Sequence, residues 1–156
     1  MNKLLKVAVI TAASFIFTVF VNHEPAQAAD TYYHVGTIHS STPTSWRGNL
    51  YSYVNGKFCL TQINKYSVTQ KYNGKQHTLY KSTWKGYRKL AFAKISGTNR
   101  YTFNAYATKA YQSDRGWRKT HRTVEGQKIS VLRDYSGGGA FVDLFRSPVY
   151  KSYSNH

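Results

Sequence analysis

Few side chains in this sequence could act as nucleophiles or bases. Cys59 is the only cysteine among the 156 residues. A thiol nucleophile there would need a histidine beside it, and the candidates are His34, His39, His77 and His121. A lone cysteine in an exported chain cannot form an intramolecular disulfide, and a free cysteine commonly behaves as a small core residue. We therefore expect Cys59 to be buried, the alternatives being a dimer contact or a free thiol.

Carboxylates are also few, with 6 Asp and Glu in the chain. Asp134 and Asp143 are the two expected on paired strands, and they could face each other across the glycine loop 136–139. Two carboxylates flanking a bond are what glycoside hydrolysis requires. The neighbouring Arg133 and Arg146 favour simple charge neutralisation instead. Because the histidines also lack any metal-ligand spacing, we predict no catalytic residue, no metal and no cofactor.

Basic residues are the strongest feature, since 22 Lys and Arg against 6 acidic residues give a net charge of +16. Such a field attracts polyanions through steering and counterion release. The predicted polyanion-binding residues form three clusters: Lys65, Lys71 and Lys75; Lys81, Lys85, Arg88 and Lys89; and Arg115, Arg118, Lys119 and Arg122. Interleaved aromatics could stack on sugar rings or bases, and the predicted contacts are Trp84, Tyr87 and Trp117. The alternative is a merely solubilising surface with the aromatics packed inward.

Residues 1–28 have the pattern of a signal peptide. Two early lysines precede an apolar run over 7–21, and small residues Ala26 and Ala28 stand before Asp30. The apolar run is 15 residues long, whereas a membrane-spanning helix needs roughly 20. We expect cleavage after Ala28 or Ala29 and a protein without a membrane span, extracellular or loosely associated with the cell wall; the alternative is an uncleaved membrane anchor.

The remaining chain predicts an all-β domain. Residues 29–45 indicate an irregular arm, and 46–156 a single β domain. Asn55-Gly56 and Asn73-Gly74 are strong hairpin signals between aromatic, β-branched runs. Further strands are expected over 89–95, 100–107, 117–124, 128–135 and 140–146. Because tight turns force antiparallel pairing and open edges are a liability, we expect a meander that closes into a small up-and-down, lipocalin-like barrel. Two SH3-like barrels dividing near 96–99 are the alternative.

Two segments resemble a known group of sequences. Thr42-Pro43-Thr44-Ser45-Trp46-Arg47-Gly48-Asn49-Leu50-Tyr51 resembles the opening of small secreted proteins of lactic-acid bacteria, although Leu50 stands where the group usually has Trp. The segment 116–132 is similar to a later Trp-x-Thr-x-Arg-x-Val segment of that group, with a shifted threonine. The group has no established activity, so the resemblance implies export from a Gram-positive cell and no mechanism.

These observations predict a secreted, basic, non-enzymatic β domain that binds anionic cell-envelope polymers non-covalently. Nucleic acid would be bound only non-specifically. The alternative is a lipocalin-like carrier, which requires an interior pocket of a few hundred Å³ lined by apolar side chains. A third hypothesis is a cationic antimicrobial or partner-binding factor.

Overall fold

The computed structural model describes residues 34–107, 116–135 and 140–155. The predicted leader, Arg115 and the glycine loop therefore lie outside the described residues. The described part contains ten strands: β1 Gly48–Val54, β2 Lys57–Ile63, β3 Ser67–Tyr72, β4 Lys75–Lys81, β5 Ala93–Lys94, β6 Tyr101–Thr102, β7 Trp117–Val124, β8 Gln127–Tyr135, β9 Phe141–Phe145 and β10 Ser154–Asn155. Two short 3₁₀ turns, Thr44–Trp46 and Gly86–Arg88, complete it. Neither turn is long or apolar enough to be a membrane-spanning helix, and the described residues contain no other helix.

Three tight turns set the strand pairing. Asn55 and Gly56 have φ values of 49° and 75°, and Asn73 and Gly74 have 50° and 75°. Two successive positive φ values define the primed turn that joins antiparallel strands. Both predicted hairpins are therefore confirmed, and Glu125-Gly126 forms a third turn of this kind between β7 and β8 (φ 49° and 80°).

All ten strands belong to one sheet in the order β4-β3-β2-β1-β9-β8-β7-β6-β5, with β10 added beside β9. The sheet is antiparallel and curls into a half-barrel. The expected all-β, barrel-like fold is confirmed as one sheet instead of two SH3-like barrels. The first strand pairs with β9 through Tyr51 and Phe145, as a closing meander requires. The strand order ends at β4 on one side and β5 on the other. A bridge between Lys81 and Lys89 links the end of β4 to the segment before β5, and we call this junction the seam.

One predicted strand is wrong over most of its length. The clean alternation of 100–107 predicted a continuous strand, but β6 ends at Thr102. The buried Asn104 then donates from its amide nitrogen to the Tyr87 carbonyl at 3.0 Å and accepts from the Thr102 hydroxyl at 2.9 Å. These side-chain hydrogen bonds hold the backbone in a turn. Leaving the buried Asn104 amide without partners would cost more free energy than a few backbone hydrogen bonds at a sheet edge would gain. The predicted strand 89–95 likewise shrinks to Ala93–Lys94 flanked by isolated bridges.

The arm before β1 closes one end of the half-barrel. Trp46 is 5% exposed, and its ring lies edge-on to Phe92 at 5.1 Å and to Tyr101 at 5.1 Å between ring centroids. Thr42 ties the arm to the β2–β3 turn, donating through its amide to the Lys65 carbonyl at 2.9 Å. Because strands alternate in direction, the β2–β3 turn and the ends of β4 and β9 lie at this same end, which we call the arm end. The Asn55-Gly56 and Asn73-Gly74 turns mark the opposite, hairpin end.

Candidate anion-binding surface

The connection between β4 and β5 carries a run of cations at the arm end. The Lys81–Lys89 bridge and the hydrogen bond from the Leu90 amide to the Lys81 carbonyl at 3.0 Å fold this connection into a compact loop. The Ser82 amide donates to the Tyr66 carbonyl at 2.9 Å, which brings the β2–β3 turn alongside. The second predicted cluster is therefore held together, and Lys65 joins it from the first.

Exposed aromatic rings lie among these cations. Tyr66, Tyr87 and Tyr106 are 50%, 49% and 57% exposed. Three cations stand over rings of the same surface: Lys65 over Tyr66 at 4.9 Å, Arg88 over Trp84 at 5.5 Å, and Lys89 over Tyr106 at 5.2 Å. We call this surface the basic–aromatic patch, and its members are Lys65, Tyr66, Lys81, Trp84, Lys85, Tyr87, Arg88, Lys89 and Tyr106.

Within the described residues, no salt bridge joins a cation of the patch to a carboxylate. No Asp or Glu occurs anywhere between residues 31 and 113 of the sequence. The carboxylates in the described ranges are Glu125, Asp134 and Asp143, which belong to the β7–β9 part of the sheet. A group of five cations without a carboxylate partner among the described residues attracts anions from solution.

The first and third predicted clusters do not hold together. Lys71 and Lys75 are exposed but lie toward the hairpin end, at the opposite end of β3 from Lys65. On β7, Lys119 pairs with the core residue Leu132, whereas Arg118 pairs with Arg133 on the other face. The length of β3 separates the first cluster, whereas strand alternation divides the third, because it sends successive side chains to opposite faces of a sheet.

The prediction that Trp117 contacts a ligand at the surface is wrong. It is 3% exposed and packs edge-on against Phe103, with 5.2 Å between ring centroids. A core residue cannot stack on a surface ligand. Tyr106, by contrast, belongs to the patch and was missed, because the predicted strand 100–107 assigned it to one sheet face.

Arg122 is bound to a buried carboxylate. The Asp143 side chain is 0% exposed and is contacted by Arg122 Nη2 at 2.7 Å and by Arg133 Nε at 2.6 Å. The hydrogen bond with Asp143 raises the pKa of Arg133 above its ordinary value. Neutralisation by Arg133 is thus as predicted, but the second partner is Arg122, and Arg146 instead binds backbone carbonyls of the arm.

The residues considered for catalysis are not assembled into a site. Asp134 pairs with Val142 while Asp143 pairs with Arg133, so the two carboxylates occupy opposite faces of the sheet. Cys59 is buried, as predicted, and desolvation raises the pKa of its thiol to about 11 despite a hydrogen bond with Ser52. Such a thiol is protonated at neutral pH and is a poor nucleophile. Across the described ranges, no group of three His, Cys, Asp or Glu could hold a metal ion.

A separate cavity of about 310 Å³ opens between the 3₁₀ turn Thr44–Trp46 and strands β7 and β8. Its lining combines apolar core residues with cations, hydroxyls and an imidazole: Ser45, Trp46, Leu50, Lys119, Thr120, His121, Ser130, Val131, Leu132 and Arg146. The cavity has the size expected for a small-ligand pocket, but its lining is partly basic, whereas the carrier hypothesis requires an apolar one. No local pattern predicts Arg146 in this position, because it reaches the arm across about a hundred residues of chain.

Comparison with models of protein families, with curated proteins and with solved structures found no match to this chain.

Proposed function

We propose that this protein is an exported, non-enzymatic domain that holds anionic polymers of the cell envelope through the basic–aromatic patch. The observation that carries the proposal is the meeting of five cations and four aromatic rings at the arm end, within a stretch of sequence that contains no carboxylate. The resemblance to secreted proteins and the leader-like residues 1–28 favour an envelope polymer over an intracellular nucleic acid.

The charge of the patch suits a repeating anion. Lys81 and Lys89 face each other across the seam, and Lys85 and Arg88 belong to the loop between them. A chain of phosphates or carboxylates can engage several such groups together and release its condensed counterions. Exposed lysines retain rotational freedom, so this mode of binding tolerates variation in the spacing of the anions.

The aromatic rings add contact area to the charge. Tyrosine and tryptophan supply large, rigid surfaces with only two side-chain torsions each. The faces of Trp84 and Tyr106 already hold a cation, at 5.5 Å and 5.2 Å respectively. A polymer whose sugar or polyol units alternate with anions could place its carbon-bound hydrogens on the parts of these rings that the cations leave uncovered, and its charges on the adjoining cations.

The test compares two variants that lose the same number of charges. In the patch variant, Lys81, Lys85, Arg88 and Lys89 are changed to Gln; in the control variant, the exposed residues Lys57, Lys71, Lys75 and Lys151 are changed to Gln. Binding is measured by sedimentation with purified Gram-positive cell walls that carry their phosphate polymers, and with the same walls after acid removal of those polymers.

We expect the patch variant to bind intact walls at least about tenfold more weakly, because several charge-assisted contacts are removed together. The control variant should stay within about threefold of the parent protein. Equal losses in the two variants would overturn the patch as the site, because binding would then follow net charge alone. Undiminished binding to stripped walls would overturn the anionic polymer as the partner.

A further inference from the structure

Two cations meet in the cavity beside the arm without a carboxylate among its lining residues. Lys119 projects from the inner face of β7, and its Nζ lies 5.4 Å from the centre of the Trp46 ring. Burial lowers the pKa of Lys119, and the charge of Arg146 lowers it further. Lys119 and Arg146 are both exposed to solvent, and a bound anion would offset the repulsion between these two like charges.

Arg146 is fixed in place by the arm. Its Nη1 donates to the Arg47 carbonyl at 2.6 Å, and its Nη2 lies 3.3 Å from the Trp46 carbonyl. A Cβ at Gly48 would lie 2.8 Å from Nη1, so the guanidinium rests directly on glycine backbone. These two contacts use two of the five N–H donors of a guanidinium. A positioned cation of this kind binds an anion with little ordering cost.

The rest of the lining fits the body of a small hydroxylated molecule. His121 and Ser130 are paired across β7 and β8 on the inner face, and Ser45 approaches from the 3₁₀ turn. These groups can exchange hydrogen bonds with hydroxyls, while Trp46 and Leu132 provide an apolar floor. An inorganic anion alone would leave Trp46 and Leu132 without a ligand contact. The cavity volume of about 310 Å³ is near the lower limit of ligand pockets.

We infer that this cavity is a binding site for a phosphomonoester of a small polyol or sugar, with Lys119 and Arg146 as the partners of the phosphate. A phosphomonoester carries close to two negative charges at neutral pH, which matches two cations. The phosphodiester units inside a polymer carry only one. The site is thus distinct from the basic–aromatic patch in position and in the charge of the group it takes, and it does not depend on the proposed function.

The test is a titration of the full chain with glycerol 1-phosphate, followed by amide chemical shifts and by calorimetry in a phosphate-free buffer. Glycerol, acetate and the diester glycerophosphoglycerol serve as comparison ligands. Lys119→Met removes the charge but keeps most of the side-chain length. Lys85→Met is the matched control in the patch, and Lys119→Arg tests rescue by charge.

We expect glycerol 1-phosphate to shift the amides of Lys119, His121 and Ser130, and to bind about tenfold or more tightly than the diester. Lys119→Met should weaken that binding about tenfold or more, the scale of one charge-assisted hydrogen bond. Lys85→Met should leave it unchanged, and Lys119→Arg should restore most of it. Shifts that avoid the cavity, equal binding by Lys119→Met, or equal binding of diester or acetate would each overturn the assignment. Failure of the patch variant to lose wall binding would leave this result untouched, so the two proposals fail independently.

Discussion

Arg133 binds Asp143 through two parallel contacts, from Nε to Oδ1 at 2.6 Å and from Nη2 to Oδ2 at 2.9 Å. The carboxylate is completely buried on the outer face of β9, and Arg122 closes its other side at 2.7 Å. The guanidinium of Arg133 also stands 3.9 Å from the centre of the Phe141 ring. Two of the 22 basic residues thus have a structural role, which removes them from the pool available to a ligand.

Replacement of Arg133 by Met should lower the free energy of unfolding by about 2–3 kcal/mol, somewhat less than the usual cost of breaking a buried pair, because Arg122 still faces the carboxylate. Urea unfolding at neutral pH measures the loss. The same variant should bind cell walls like the parent protein. A loss of stability below about 0.5 kcal/mol, the usual scale of a surface change, would contradict the structural role.

Because Cys59 is buried as a neutral thiol, its contribution to the free energy of unfolding should be lost at alkaline pH. The folded thiol has its pKa raised from 9.0 to about 11, so the folded state favours the protonated form. This contribution is complete below pH 9 and is lost as the pH rises toward 11. Two pKa units correspond to at most about 2.7 kcal/mol.

Cys59→Ala isolates this contribution from the tyrosines and lysines that titrate in the same range. The difference in unfolding free energy between parent and variant should narrow from pH 9 to 11. Alkylation by iodoacetamide near pH 8 should also require unfolding, because the thiolate is scarce and covered. Rapid alkylation of the folded protein would show that the thiol is reachable.

Gly116 and Gly126 both have positive φ but differ in the space around them. A Cβ at Gly116 would lie 2.5 Å from Ile95 Cδ1 and 2.8 Å from the Tyr101 carbonyl, whereas one at Gly126 would meet nothing within 4 Å. Gly126→Ala should cost about 1 kcal/mol for the left-handed backbone alone. Gly116→Ala adds overpacking and should cost about 3 kcal/mol in total. Thermal unfolding compares the two, and equal losses would mean that the surroundings of Gly116 relax without cost.

Salt should reveal how many patch cations touch the polymer. Removing the partner of one bound anion reduces the slope of log affinity against log salt by about 0.7–0.9. The variant with Gln at Lys81, Lys85, Arg88 and Lys89 should therefore have a slope shallower by up to about 3.6, measured from about 50 to 200 mM salt. A slope equal to that of the parent protein would mean that these four side chains do not meet the anion.

The aromatic part of the patch should act differently from its charges. Trp84→Ala should weaken binding to a sugar-containing polymer by about 1 kcal/mol, the lower range for stacking on a ring, while leaving the salt slope in place. Tyr150 is 78% exposed and lies outside the patch, so Tyr150→Ala is the control. Calorimetry at two salt concentrations separates the two effects. Equal losses of polymer affinity from Trp84→Ala and Tyr150→Ala would show that Trp84 makes no specific contact with the polymer.

The fold was predictable where the signal was local. The Asn-Gly turns need only two residues with positive φ, and the alternation of apolar side chains in 48–54 and 57–63 is repeated in their burial. The strand 100–107 failed because nothing in its alternation shows that Asn104 will bond to the distant Tyr87 carbonyl. Long-range polar contacts of this kind depend on the assembled fold.

The candidate site was predictable only in part for the same reason. Lys81, Lys85, Arg88 and Lys89 stay together because they belong to one short connection. Arg118 and Lys119 are adjacent in sequence yet lie on opposite faces of β7, because sheet geometry separates neighbours. Arg146 meets Lys119 only after β9 has been placed beside β1, which no local pattern specifies.

The seam between β4 and the segment before β5 lies within the basic–aromatic patch, so a ligand bound there should affect the stability of β4. The described residues form one bridge along this line, between Lys81 and Lys89, and the Leu90 amide donates to the Lys81 carbonyl at 3.0 Å beside it. A polymer that contacts both lysines would link the two margins of the half-barrel a second time. Because a ligand stabilises the state to which it binds, an anionic polymer bound at the patch should slow hydrogen exchange along β4 and so stabilise this margin of the half-barrel.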